Sequence, residues 1–179
     1  MKVSKSELEI IRKQLGREPD NLGGIPLKCP FEKPAVLLTL PYSSDKGIFP
    51  TTFWLSCPYL VKEVSRLEEK GLVKELTEKI NKNPALKEEL ERAHKIYAQK
   101  RRSLLGEDEV AELRRGSPDI LKVLLESGVG GIRNKEGIKC LHTHLADYLV
   151  NGVNPVGRLV WEKLDWPERC NLCRMEAGE

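Results

Sequence analysis

Two short neighbouring runs in this chain read as β-strands, and that pairing restricts the folds open to it. Residues 35–40 (Ala-Val-Leu-Leu-Thr-Leu) and 51–56 (Thr-Thr-Phe-Trp-Leu-Ser) are rich in β-branched and aromatic side chains. Pro41, Ser43, Ser44, Asp45 and Gly47 lie between them, which is turn chemistry for an antiparallel hairpin with a long loop. An isolated hairpin is marginal in water, so the rest of the chain must cover it. From Leu60 onward the apolar spacing is helical. The expected fold class is α+β: a mainly α-helical single domain with one small antiparallel β-hairpin. A chain of 179 residues suffices for one such core. Residues 1–164 are expected to form it, and 165–179 a Cys-containing C-terminal tail.

The helices announce themselves through caps and stripes. Ser6 and Glu9 have capping-box spacing ahead of Leu8, Ile11 and Leu15, and Gly16 stops that helix. Residues 17–34, with Pro19, Gly23, Gly24, Pro26, Pro30 and Pro34, read as loop. Leu60, Val64 and Leu67 share one face, and Leu72, Val73, Leu76 and Ile80 continue past Gly71. Asn83-Pro84 opens a helix running to about Leu105, with Leu86, Leu90, Ala93 and Tyr97 on one stripe. Residues 107–115, the run after Ser117-Pro118 and the run after Asn154-Pro155 read as three more helices.

Several function classes are excluded or disfavoured. The net charge of +3 is too small to mark a nucleic-acid footprint. The run from Val64 to Val73 resembles a winged-helix recognition element, but no pair of strands follows it to make a wing. Lys100-Arg101-Arg102 and Arg114-Arg115 read as solvated helix faces, because Glu and Asp surround them. No apolar run approaches a membrane span, and the N-terminal residues lack a signal-peptide core. The expected compartment is the cytoplasm, with no membrane and an unspecified small molecule or protein as partner.

The chemistry is concentrated in five cysteines and three histidines. In a reducing compartment such thiols are metal-bound, catalytic or free rather than disulfide-paired. Cys29 precedes the first strand and Cys57 follows the second, so an antiparallel hairpin brings them to one end, each followed by proline. Cys170 and Cys173 have Cys-x-x-Cys spacing, which clamps zinc or joins a cluster. Cys140-Leu-His142-Thr-His144 is the densest group. On a regular helix Cys140, His144 and Asp147 share a face and His142 points about 200° away from Cys140. Cys140, His142 and His144 cannot all bind one ion if the helix has already begun at Cys140: either Cys140 and His142 lie on the preceding extended segment, or only one histidine takes part.

The expected centre therefore draws its metal ligands from Cys29, Cys57, Cys140, His142, Cys170 and Cys173, around Zn2+ or an iron–sulfur cluster. The core set is Cys29, Cys57 and Cys140, with Cys170 or His142 as fourth ligand. The first alternative is a metal-free enzyme with Cys140 as nucleophile and His142 as base. The second is a structural or regulatory partner-binding module without a site, its cysteines being small buried hydrophobes.

Three stretches carry a resemblance. They are Cys29-Pro-Phe-Glu-Lys-Pro34, then Phe49-Pro-Thr-Thr-Phe-Trp-Leu-Ser-Cys-Pro58 with Ser65-Arg-Leu-Glu68, and Lys139-Cys-Leu-His142 with Ala146, Gly152 and Asn154-Pro-Val-Gly157. In these the chain resembles the uncharacterised bacterial family catalogued as domain of unknown function 501, over roughly Glu9 to Leu164. The resemblance implies a cytoplasmic bacterial protein and no established activity. It also implies that the positions of Cys29, Cys57, Cys140 and His142 belong to the family pattern, that His144 is not a usual family position, and that relatives often place a histidine at the position of Asp147.

Overall fold

A computed structural model describes residues 3–167. The first helix, α1 (Lys5–Leu15), has its cap two residues earlier than the expected Ser6. Ser4 is the N-cap, and Ser4 with Glu7 forms the capping box, while Gly16 closes the helix in the left-handed conformation. The order then runs β1 (Leu22–Lys28), β2 (Pro34–Thr39), β3 (Tyr42–Ser43), β4 (Gly47–Ile48), β5 (Phe53–Leu55), α2 (Pro58–Glu69), α3 (Leu72–Lys82), α4 (Pro84–Arg102), α5 (Glu107–Gly116), α6 (Pro118–Glu126), α7 (Leu141–Asn151) and α8 (Pro155–Trp161). The α+β class holds.

The expected hairpin is present as β2 and β5, antiparallel, with Val36 opposite Leu55 and Leu38 opposite Phe53. It is not alone. β1 joins the other side of β2, giving the order β1-β2-β5, so part of the stretch read as loop is a strand. Its glycines and Pro26 are tolerated because β1 is an edge strand, and its pairing with β2 carries register shifts. The loop between the expected strands forms a separate small hairpin, β3 with β4.

β2 is central and almost entirely buried, as expected of a strand covered on both faces. α1 lies against it, burying Ile11 and donating from Gln14 Nε2 to the Pro34 carbonyl at 2.9 Å. α7 crosses β5. Phe53, Leu55, Leu60, Val64, Leu76, Leu90, Tyr97, Leu141, Leu145 and Val160 belong to the main core, each such apolar side chain contributing about 1.5–3 kcal/mol by burial. A second, smaller cluster of Leu113, Leu121 and Leu124 joins α5 to α6. α8 packs closely on α7 at Gly157, where a Cβ would stand 2.2 Å from the His144 carbonyl oxygen, so no other residue fits there.

One charge was misplaced by the pattern. Arg101, read as part of a solvated basic face, is fully buried. Its guanidinium donates to the carbonyls of Leu124, Ser127, Gly128 and Pro50, tying α4 to the end of α6, the following loop and the segment before β5. The planar fork of five donors is what lets a cation sit there without a carboxylate.

Candidate functional site

α7 carries the chemistry, and its start decides how. Cys140 is the N-cap, with extended backbone (φ −151°, ψ 150°), and the helix begins at Leu141. Cys140 is therefore ahead of the helix, and its side chain can approach His142. Its Sγ lies 3.1 Å from Thr143 Oγ1 and caps no backbone N–H. The missing cap comes from another element. Glu68, in the last turn of α2, accepts from the Leu141 N–H at 2.6 Å through Oε1. A carboxylate opposes the dipole at the C-terminus of its own helix and is favoured at the N-terminus of α7.

His142 stands between α2 and this cap. Its Nε2 lies 3.2 Å from the Val61 carbonyl oxygen and 3.3 Å from Ser65 Oγ. A carbonyl only accepts, so the Nε2 hydrogen is assigned by that partner. Nδ1 faces Glu68 Oε1 at 3.2 Å. Among the described residues, Glu68, Cys140 and His142 form a group whose ligand atoms all lie within 4.8 Å of one another. The side chains of His142 and Glu68 are about one-quarter exposed, 25% and 26%. The group is thus sheltered yet reachable from solvent.

The geometry suits an ion as well as a hydrogen bond. Two ligands held about 2.0–2.1 Å from one tetrahedral metal stand about 3.3–3.4 Å apart, close to the spacing between Nδ1 and Oε1. A metal-bound histidine ordinarily donates its other ring N–H to a carbonyl or carboxylate, as Nε2 does here to Val61. A thiol, an imidazole and a carboxylate are all zinc ligands.

A second polar group lies on the buried side of the same helix. Asp147 is held by the amides of Asn151 and Asn154, both at 2.7 Å. Asn154 also accepts from the Gly157 N–H at 3.0 Å and places its amide nitrogen 3.1 Å from His144 Nδ1. His94 on α4 accepts from the Val129 N–H at 3.1 Å, and its ring lies 6.2 Å from that of His144. Tyr97, one turn further along α4, accepts from the Thr52 N–H at 2.6 Å. Burial acts on all of them. It pulls His94 down to about 4 and His144 to about 3, and pushes Asp147 up to about 6 and the Tyr97 phenol up to about 12. Neutral imidazoles and a proton-holding carboxyl are the forms that a desolvated interior favours. This group ties α7 to α4 and to the start of α8, and none of its residues belongs to the grouping of possible metal ligands among the described residues.

The structure separates the residues that the sequence grouped. Cys140 and His142 come together, with Glu68 as a third member. Glu68 had no sequence signal as a ligand; it was visible only as the last residue of the Ser65–Glu68 motif. Cys29 and Cys57 are buried in the main core, outside the Glu68 group. Cys170 and Cys173 lie outside the described residues. A surface cleft of about 610 Å³ beside α6, lined by Lys122, Arg133 and Lys135 among others, holds none of these residues. No described helix is long and apolar enough to cross a membrane.

Comparison with curated proteins and with solved structures found no match. A family model does match, over residues 25–162, and that span contains the second half of β1 and all of β2 to α8, together with Glu68, Cys140 and His142. The chain belongs to the family described as protein of unknown function (DUF501).

Proposed function

We propose that this chain is a metal-site protein whose centre is the Glu68 carboxylate, Cys140 Sγ and His142 Nδ1. The observation that carries this reading is the convergence of three different ligand types, from α2 and from the start of α7, within 4.8 Å. The ligand set favours zinc over an iron–sulfur cluster, because clusters are held mainly by several thiolates. Three protein ligands leave a fourth position for water or a substrate, the arrangement of zinc sites that act as Lewis acids. This chain's own part is to hold the carboxylate through the α7 backbone and the imidazole through Val61. Elemental analysis of protein purified without a metal-binding tag tests the reading. Cys140→Ser and His142→Ala are each expected to lower bound zinc by about one equivalent per chain. Unchanged zinc in both variants would overturn it.

One observation favours a second reading. Cys140 sits at the N-terminus of an eleven-residue helix with His142 close by and the Val61 carbonyl orienting that imidazole through Nε2. This is a nucleophile, a base and an orienting group in order. Iodoacetamide labelling of metal-free, folded protein would then be fast and confined to Cys140; slow, uniform labelling would remove this reading.

A further inference from the structure

Arg101 puts a charge in the interior that no acid answers. Its described hydrogen-bond partners are all carbonyls. Those of Val123, Leu124, Ser127 and Gly128 belong to the end of α6 and the turn after it. A helix C-terminus ordinarily carries partial negative charge; here a buried cation offsets it. Val123 and Ser127 also line the cleft of about 610 Å³. Asp119, Lys122 and Glu126 line it with Val123 from α6, at the i, i+3, i+4, i+7 spacing of one helix face. Arg133 and Lys135 line it from the loop that follows α6.

That loop is fastened to the interior. The Ser127 and Gly128 carbonyls accept from Arg101, the Val129 N–H donates to His94 Nδ1 at 3.1 Å, and the Gly130 carbonyl accepts from Lys139 Nζ at 2.6 Å. The Gly128 N–H donates to the Ile132 carbonyl at 2.8 Å. A Cβ at Gly128 would stand 2.5 Å from His94 Nδ1, so the loop lies tight against α4. Asn134 turns the chain between the two cations, its Oδ1 accepting from the Glu136 N–H at 3.1 Å. Glu136, the acid of this loop, is paired with Lys87 of α4 at 3.0 Å. Lys122, Arg133 and Lys135 are exposed and make no ion pair among the described residues, with Asp119 and Glu126 of the same cleft or with any other acid. Three unpaired cations therefore line a concave space on a support that loses little freedom when a ligand arrives. The cleft is of small-molecule size, and a guanidinium beside ammonium groups is the side-chain set that holds phosphate oxygens. The small net charge of +3 and the two carboxylates in the lining disfavour a nucleic-acid strand.

We propose that this cleft binds a small phosphorylated molecule, its phosphate oxygens held by Lys122, Arg133 and Lys135. The site is separate from Glu68, Cys140 and His142, none of which lines it. The test is equilibrium dialysis of the full-length chain against radiolabelled inorganic pyrophosphate. The unaltered chain is expected to bind about one equivalent, saturably. A lost charge-assisted contact lowers affinity about tenfold or more, and Arg133→Gln/Lys135→Gln is expected to weaken binding by at least that factor. Glu126→Gln removes a repelling charge and is expected to tighten it. Arg114→Gln/Arg115→Gln, which alters two exposed cations of α5 outside the cleft, is expected to change nothing, and so is Cys140→Ser. The altered cleft side chains are exposed, so these variants keep the fold. Absence of saturable binding by the unaltered chain overturns the proposal. An equal loss in Arg114→Gln/Arg115→Gln would reduce the effect to general surface charge and overturn it too. Loss in Cys140→Ser with binding kept in Arg133→Gln/Lys135→Gln would move the anion to the Glu68 centre and away from the cleft. Tighter binding of a single-stranded oligonucleotide, abolished by Arg133→Gln/Lys135→Gln, would make the ligand a nucleic acid and overturn the small-molecule class.

Discussion

His142 and His144 are two residues apart on one helix and live in opposite worlds. His142 is partly exposed, faces a carboxylate and a thiol, and is held by a backbone carbonyl. His144 is fully buried, faces an amide, and is held neutral by desolvation. The α7 helix therefore presents a partly exposed polar edge to α2 and a buried interior to α4 and α8. The difference shows that residue type alone does not mark a site. Two histidines of the same short motif divide between a partly exposed polar cluster and buried packing according to what the neighbouring helices place against them.

The sharpest way to break that division is to cut the interior side. Asn154→Ala would leave Asp147 Oδ2, the Gly157 N–H and His144 Nδ1 without their shared partner. Each stranded buried group costs about 1–3 kcal/mol, so the loss is expected to be about 3 kcal/mol or more by denaturant unfolding, with zinc content unchanged. A variant that instead lost zinc while keeping its stability would place the site on the wrong face of α7.

A smaller effect sharpens the same point through pH. Burial raises Asp147 to about 6 from an ordinary value of 3.8. Between those values the folded chain holds a proton on Asp147 that the unfolded chain has released. Asp147 thus contributes stability at low pH that is lost as pH rises through about 6. His94 and His144 are shifted down, so they act with the opposite sign: their contribution is lost on acidification. Asp147→Asn removes the opposing group. Between pH 4 and 6 the variant is expected to lose stability on acidification more steeply than the unaltered chain, by about 1.4 kcal/mol per pH unit. Parallel stability curves for the two proteins would show that Asp147 does not titrate in that window.

Much of this architecture is written locally. The strands at 35–40 and 51–56 were legible because two short, largely apolar runs flank turn chemistry, and the helices because Asn83, Ser117 and Asn154 each stand just before a proline that begins an element. What was not legible depends on distant partners. β1 contains Gly23, Gly24 and Pro26, which argue for loop, and becomes a strand only because β2 offers a free edge. Arg101 sits in a basic run beside Lys100 and Arg102, and nothing nearby in sequence reveals the carbonyls waiting more than twenty residues away. Glu68 looks like any helix-surface acid until α7 brings Leu141 and His142 to it across more than seventy residues. Cys140 was the instructive middle case. Its pairing with His142 turned on a single boundary, whether the helix starts before or after it, and the structure starts it after.

The smallest expected effect asks most of the comparison. Glu68→Gln keeps the side-chain shape and an acceptor for the Leu141 N–H while removing the negative charge at the start of α7. In metal-free protein the cost is that of a charge at a partly exposed helix N-terminus, under about 1 kcal/mol. In metal-loaded protein the same change weakens one of three ligands and is expected to lower zinc affinity tenfold or more, read by competition with a chelator of known affinity. A zinc ligand predicts a large binding effect on a small stability effect; a purely structural cap predicts the reverse. If Glu68→Gln destabilises the metal-free chain as much as Asn154→Ala does and leaves zinc affinity unchanged, then both sides of α7 are packing, the contrast between His142 and His144 is one of exposure only, and the Glu68 centre falls.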